Sequence, residues 1–160
     1  MIRTTICLLL LTILPTTAAS RSTPTLQEWY RYVKVVADKY NLDPNLCAAL
    51  AAGESGLGNQ EVRFCWVGNG KYLGPFNLCR GVVKRYGVTD WKSCTEIGIM
   101  LLSHKLKKYG SLWNALRHYN TDDKGKKFDN YVNNIRRLQR RYKQRKVFVE
   151  MKNYALRMGR

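Results

Sequence analysis

The sequence predicts a single, mainly α-helical domain carrying one long irregular loop, and three observations lead there. Apolar residues recur at helical spacing along most of the chain, punctuated by helix-capping signals. Between residues 56 and 74 that periodicity gives way to glycines interleaved with aromatic residues. A loop of this length is uncommon in a compact domain and is usually functional. Finally, of the 160 residues, about 140 remain once the first segment is set aside, which is enough for one hydrophobic core.

Residues 1–20 read as a secretory signal rather than as fold. Arg3 is followed by an apolar run from Ile6 to Leu14 and then by the small residues Thr17, Ala18, Ala19 and Ser20. The run is far short of the roughly 20 residues that a membrane-spanning helix needs. Cleavage is expected near Ala19 or Ser20, with a retained anchor as the alternative.

The domain proper is expected over residues 21–146. Thr25-Leu26-Gln27-Glu28 is a capping box, and it opens a helix with Leu26, Trp29, Tyr30, Val33, Ala37 and Tyr40 on one face, ended by Asn41. Asp43-Pro44 starts a second helix, with Asp as N-cap and Pro in the first turn. Its small side chains, from Cys47 to Ala52, suit a buried central helix. The Gly-rich loop then carries Phe64, Trp66 and Tyr72, and it has room for a short β-hairpin. Helix is predicted again from Leu78 to Tyr86, stopped by Gly87. Ser93-Cys94-Thr95-Glu96 reads as a second capping box, heading a helix that ends at Gly110. Ser111 caps a short helix through Leu112, Trp113, Leu116 and Tyr119. After a polar stretch from Asn120 to Lys127, a last helix begins near Phe128 with Tyr131, Ile135, Leu138 and Tyr142 on one face. Its other face is basic, and residues 147–160 form a basic tail.

Export would place the cysteines in an oxidising compartment. Cys7 leaves with the signal, and Cys47, Cys65, Cys79 and Cys94 form an even set. Two disulfides are expected, in any of the three pairings that four cysteines allow. A zinc site is the rival reading, but the chain has no C-x-x-C step and both histidines lie elsewhere. The net charge of +17 calls for an anionic partner, because self-repulsion of that size opposes compactness. Nucleic acid would satisfy it, but an exported protein is not expected to meet nucleic acid. Cell-wall glycan with its peptide carboxylates, or a membrane surface, serves equally well.

One residue is chemically out of place. The Ala-rich helix ends in Gly53-Glu54-Ser55-Gly56. Carboxylates are among the side chains least often buried, and the C-terminal end of a helix dipole disfavours a negative charge. Both effects are expected to raise the Glu54 pKa, keeping an acid ready to protonate a leaving oxygen. A solvated Glu in a turn is the plain alternative, but the aromatic loop that follows supplies the faces and amides on which sugars bind.

The series Gly53-Glu54-Ser55-Gly56, Gly74-Pro75-Phe76-Asn77 and His118-Tyr119-Asn120 resembles the three motifs of the soluble lytic transglycosylase catalytic domain, in order and interval, over residues 26 to 138. The Tyr131-Val132 pair also fits. The resemblance implies a lysozyme-like fold of the small single-domain type associated with secretion or conjugation systems. It also implies cleavage of the β-1,4 bond between N-acetylmuramic acid and N-acetylglucosamine in peptidoglycan. Glu54 would act first as acid and then as base, closing a 1,6-anhydro ring with help from the substrate's own N-acetyl group. Ser55 would orient the Glu54 carboxyl, Tyr119 would hold Glu54 or the N-acetyl group, Asn120 would add a hydrogen bond, and Asn77 would contact a sugar amide. The family's Leu-Met-Gln is here Pro75-Phe76-Asn77, so a bulkier pocket wall and a shorter amide arm are expected. The family's Ala is His118, which should face away from Tyr119 because adjacent helical residues do not share a face.

The scheme needs no cofactor and no metal. A second carboxylate, from Glu61, Asp90, Asp122 or Asp123, would instead make the chain a hydrolytic lysozyme. A third reading keeps the fold as a wall-binding module without turnover. The expected product is a periplasmic or secreted monomer that acts on glycan strands. Its basic tail is free to meet an anionic wall, a membrane or a transport apparatus.

Overall fold

The computed structural model describes residues 23–56, 62–120 and 129–144, and it is mainly α-helical with a small antiparallel sheet. The helices are α1 (Leu26–Lys39), α2 (Pro44–Ser55), α3 (Arg80–Tyr86), α4 (Trp91–Tyr109), α5 (Leu112–Tyr119) and α6 (residues 129–144). The strands are β1 (Trp66–Val67), β2 (Tyr72–Leu73) and β3 (Leu78–Cys79). The expected signal at residues 1–20 and the tail at 147–160 lie outside the described residues. Among those described, no helix is long and apolar enough to cross a membrane.

The local signals explain most boundaries. The Thr25 side chain accepts from the Glu28 amide while the Glu28 carboxylate accepts from the Thr25 amide, closing the predicted box. Asp43 caps α2 and Pro44 occupies its first turn. Along α2 every residue from Asn45 to Ala51 is buried, so this is the central helix that the small side chains foretold. Ser111 caps α5 as expected.

Two boundaries differ from the sequence reading. The N-cap of α4 is Asp90, and Ser93 is the reciprocal partner at the third position. A carboxylate outcompetes a hydroxyl for the free amides at a helix start. Glu96 is thereby released to accept from the Tyr32 hydroxyl at 2.8 Å. Leu78 and Cys79, expected as helix, form β3, and α3 begins only at Arg80. Pairing with β2 overrides local helical preference there: Tyr72 lies opposite Cys79 and Leu73 opposite Leu78. The anticipated hairpin is β1–β2, with Trp66 opposite Leu73 and Val67 opposite Tyr72.

The core lies between α1, α2, α4 and α6, where Trp29, Val33, Leu50, Ile99, Leu102 and Ile135 are fully enclosed. Trp29 donates its indole N–H to Thr95 Oγ1 at 3.0 Å, so the large ring is buried with its one polar atom satisfied. Helix α6 runs antiparallel along α2. At one end Gln139 and Lys143 meet Asp43 at 2.7 and 3.3 Å, and at the other Tyr131 meets Glu54. Between them, Ile135 packs on Gly53 so closely that an added Cβ would sit 2.2 Å from its Cδ1. Gly53 therefore sets how near α6 can come to the end of α2.

The four cysteines expected to form two disulfides are free thiols. Cys65 and Cys79 flank β2 on opposite sides, through the Cys65 carbonyl to the Gly74 amide and the Cys79–Tyr72 pair. Two strand spacings separate them, about 10 Å, beyond the roughly 7 Å between Cα atoms that a disulfide tolerates. Cys47 and Cys94 are buried on α2 and α4, and the Cys94 thiol points to the Leu73 carbonyl at 3.6 Å.

Candidate active site

Glu54 stands in the last turn of α2, half-buried, immediately before Gly56 closes the helix in the left-handed conformation. Its carboxylate Oε1 accepts from the Tyr131 hydroxyl of α6. Glu54 and Asn77 together separate two cavities. One, of about 430 Å³, extends past Ser55 towards Arg63 and Val67. The other, of about 610 Å³, extends past Tyr119 and Asn120 towards Lys105. A carboxylate at the junction of two adjoining cavities can meet a bond of an extended chain laid across both. A third cavity, between the N-terminal ends of α1 and α4, also holds a carboxylate, but Glu28 there is committed to capping Thr25.

The second motif is a tight turn between β2 and β3. The Asn77 amide donates to the Gly74 carbonyl at 3.1 Å, and Asn77 itself adopts φ 48°, a left-handed conformation that Asn tolerates better than most residues. Phe76 is wholly buried, and its ring occupies the space that a side chain on Gly98 of α4 would need, with a Cβ there only 2.2 Å away. The bulk expected to crowd the pocket is thus largely taken into the core. Asn77 Nδ2 donates to the Glu54 main-chain carbonyl, satisfying a helix-terminal acceptor, and its short arm suffices for that. The Asn77 Oδ1 atom, however, is buried with no hydrogen-bond partner among the described residues.

The remaining site residues divide. The Ser55 hydroxyl donates to the Ala51 carbonyl at 2.8 Å, so its proton serves the helix rather than the Glu54 carboxyl that it was expected to orient. Tyr119, at the end of α5, lines the larger cavity, and its hydroxyl is buried without a hydrogen-bond partner among the described residues. Burial first, and then the charge of Glu54, push that hydroxyl well above its ordinary value of 10, so it stays a neutral donor. The bond to Glu54 anticipated from Tyr119 is made by Tyr131. Asn120 caps α5 with its amide on the Leu116 carbonyl and lines the same cavity. His118 is exposed and stacked on Tyr109, with ring centroids 3.8 Å apart, but it lines the larger cavity alongside Tyr119 rather than facing away from it.

Sequence reasoning did not select Tyr131, Arg63 or Lys105 as site residues. Tyr131 was visible, being one turn before Ile135 on the apolar face of α6. Its role follows from how α6 docks, which no local pattern encodes. Of the proposed second carboxylates, Asp90 is committed to the N-terminus of α4, and Glu61, Asp122 and Asp123 lie outside the described residues. Among the described residues, Glu54 is the one carboxylate lining either cavity, and no cluster suited to holding a metal ion occurs.

No protein-family model matches the chain, and the search of curated proteins found no match.

Proposed function

We propose that this chain is a peptidoglycan lytic transglycosylase with a lysozyme-like fold. In this reading it cleaves the β-1,4 bond between N-acetylmuramic acid and N-acetylglucosamine, with Glu54 as sole acid and base. The observation that carries the reading is the immediate setting of Glu54. A half-buried carboxylate opens onto two cavities, with one unpaired buried acceptor, Asn77 Oδ1, and one unpaired buried donor, Tyr119 Oη, lining the same space. An unpaired buried polar atom costs about 1–3 kcal/mol, so such a pair is expected to be completed by a ligand. An acetamido group has the complementary chemistry, an N–H for the Asn77 oxygen and a carbonyl for the Tyr119 hydroxyl. Amino sugars of the cell wall carry that group on every ring.

In the proposed reaction, Glu54 gives its proton to the glycosidic oxygen as the bond to the muramoyl anomeric carbon breaks. The neighbouring acetamido carbonyl, oriented by Tyr119, shares the developing positive charge. Glu54, now a carboxylate held by Tyr131, removes the proton of the muramoyl 6-hydroxyl, whose oxygen closes the 1,6-anhydro ring. One carboxylate suffices because the two proton transfers are sequential, and no water is consumed. The resemblance of the three motifs to the soluble lytic transglycosylase domain supports the same chemistry. Export to the periplasm or exterior, from the signal-like residues 1–20, belongs to this proposal.

Replacing Glu54 with Gln tests it. The variant should lose release of soluble muropeptides by on the order of 100-fold or more, yet still sediment with wall material. Wild-type products should carry anhydro-muramic ends. A variant that still clears a peptidoglycan suspension rules out Glu54, and reducing muramic ends would instead assign the chain as a hydrolytic lysozyme.

A further inference from the structure

Cys79 stands where β3 passes into α3, as an exposed free thiol. It is the N-cap residue of α3, but its side chain makes no capping bond. The register sets it opposite Tyr72 of β2, and directly opposed residues of an antiparallel pair share one face of the sheet. Both accordingly line the larger cavity beside Glu54. The same cavity is lined by Tyr119, whose buried hydroxyl lacks a hydrogen-bond partner among the described residues. An unpaired buried donor marks a space that a ligand completes, and Cys79 is placed to hold a ligand there covalently.

We infer that Cys79 is a thiol-capping site, at which a peptide thiol of the glutathione class fills the larger cavity and stops glycan cleavage. This rests on the glycan-cleaving reading above and adds a control to it. In the capping step the Cys79 thiolate attacks one sulfur of the peptide disulfide. A new S–S bond joins Cys79 to one peptide, and the other leaves as a thiolate that takes up a proton. The attached peptide brings amide carbonyls for the Tyr119 hydroxyl and amide N–H groups for Asn77 Oδ1, the same pairing that an acetamido group offers. It therefore competes for the place of the sugar. The fold also makes the cap persist, because release within the chain needs a second thiol in reach. Cys65 stands two strand spacings away across β2, about 10 Å, against the roughly 7 Å between Cα atoms that a disulfide spans. Cys47 and Cys94 are buried. Removal is left to an external thiol, so cleavage follows the thiol–disulfide balance of the surroundings.

The test uses the full chain carrying Cys7→Ser and Cys65→Ser, which leaves Cys79 as the one cysteine besides buried Cys47 and Cys94. Glutathione disulfide should add one peptide at Cys79, located by mass spectrometry. Muropeptide release should then fall on the order of 10-fold or more, because the sugar is displaced from beside the acid. A reducing dithiol should restore it. Methylthiolation of the same thiol, a far smaller cap, should leave most of the activity. Adding Cys79→Ser should abolish both the adduct and the loss, with each chain compared with itself untreated. In the wild type, the loss should track the occupancy of Cys79 found by peptide mapping. Failure of the folded chain to take up the peptide at Cys79 overturns the inference. So does release unchanged by the adduct, an equal loss on methylthiolation, or an equal loss in the Cys79→Ser chain; each leaves the transglycosylase reading standing. If the untreated wild type releases no muropeptides, that reading fails and this inference falls with it.

Discussion

Tyr119 and Tyr131 flank the same carboxylate, and their hydroxyls should respond oppositely to deletion. The Tyr119 hydroxyl is buried and unpaired. Folding therefore strips it of water without return, at a cost of about 1–3 kcal/mol. Tyr119→Phe removes the oxygen and keeps the ring, so it should stabilise the free protein by about 1 kcal/mol, or roughly 3 °C in Tm for a domain of this size. The Tyr131 hydroxyl bonds the Glu54 carboxylate, and Tyr131→Phe forfeits a charge-assisted bond, destabilising by about 1 kcal/mol or somewhat more. Both variants should cleave glycan on the order of 10-fold less well, one by losing a contact to the acetamido group and the other by loosening the acid. Thermal unfolding of the two variants beside the wild type, with muropeptide release assayed on the same samples, reads all four quantities. If Tyr119→Phe lowers Tm by about 3 °C or more, its hydroxyl has a partner in the folded protein, and the reasoning from an unpaired donor is refuted.

Gly53→Ala should destabilise by about 1 kcal/mol net, because the new methyl must push aside the Ile135 Cδ1 end at a cost of about 1–3 kcal/mol, while Ala inside the helix returns about 1 kcal/mol over Gly; chemical denaturation measures this, and a gain in stability would mean that the Ile135 side chain swings away freely. Burial pushes the Cys47 and Cys94 thiols up to about 12, so in the chain without residues 1–20, and hence without Cys7, a maleimide at pH 8 should label Cys65 and Cys79 alone, with the other two reacting only after unfolding, as mass spectrometry of the labelled protein would reveal. For Asp43, burial would raise the carboxyl, but hydrogen bonds from Gln139, Asn45 and Lys143 outweigh it and hold the group below 3.8. Its contribution to stability is therefore fully present above about pH 4 and is lost as pH falls through the lowered folded value. Asp43→Asn, which can still cap the helix, should flatten that acid limb in a titration of Tm against pH.

What could be read from the sequence follows from which interactions are local. Capping signals act within four residues, so Thr25, Asp43 and Ser111 could be located by inspection. Ser93 was misplaced because two acceptors competed for one helix start, and a carboxylate three residues earlier won. β3 was not legible, since a two-residue strand exists only through its pairing with β2. Glu54 stood out because a carboxylate after an Ala-rich run conflicts with its surroundings. The partner of Glu54 could not be read, because 77 residues separate it from Tyr131. The disulfide expectation failed for a related reason: an even number of cysteines carries no information on distance, and β2 holds Cys65 and Cys79 apart.

The antiparallel seat of α6 on α2 couples points far apart on the surface. Asp43 at one end of α2 and Glu54 at the other are both tethered to α6, through Gln139 and Lys143 in the first case and Tyr131 in the second. Ile135, seated on Gly53, packs between these tethers. A change that unseats α6 therefore reaches both ends of α2 together, some three helical turns apart.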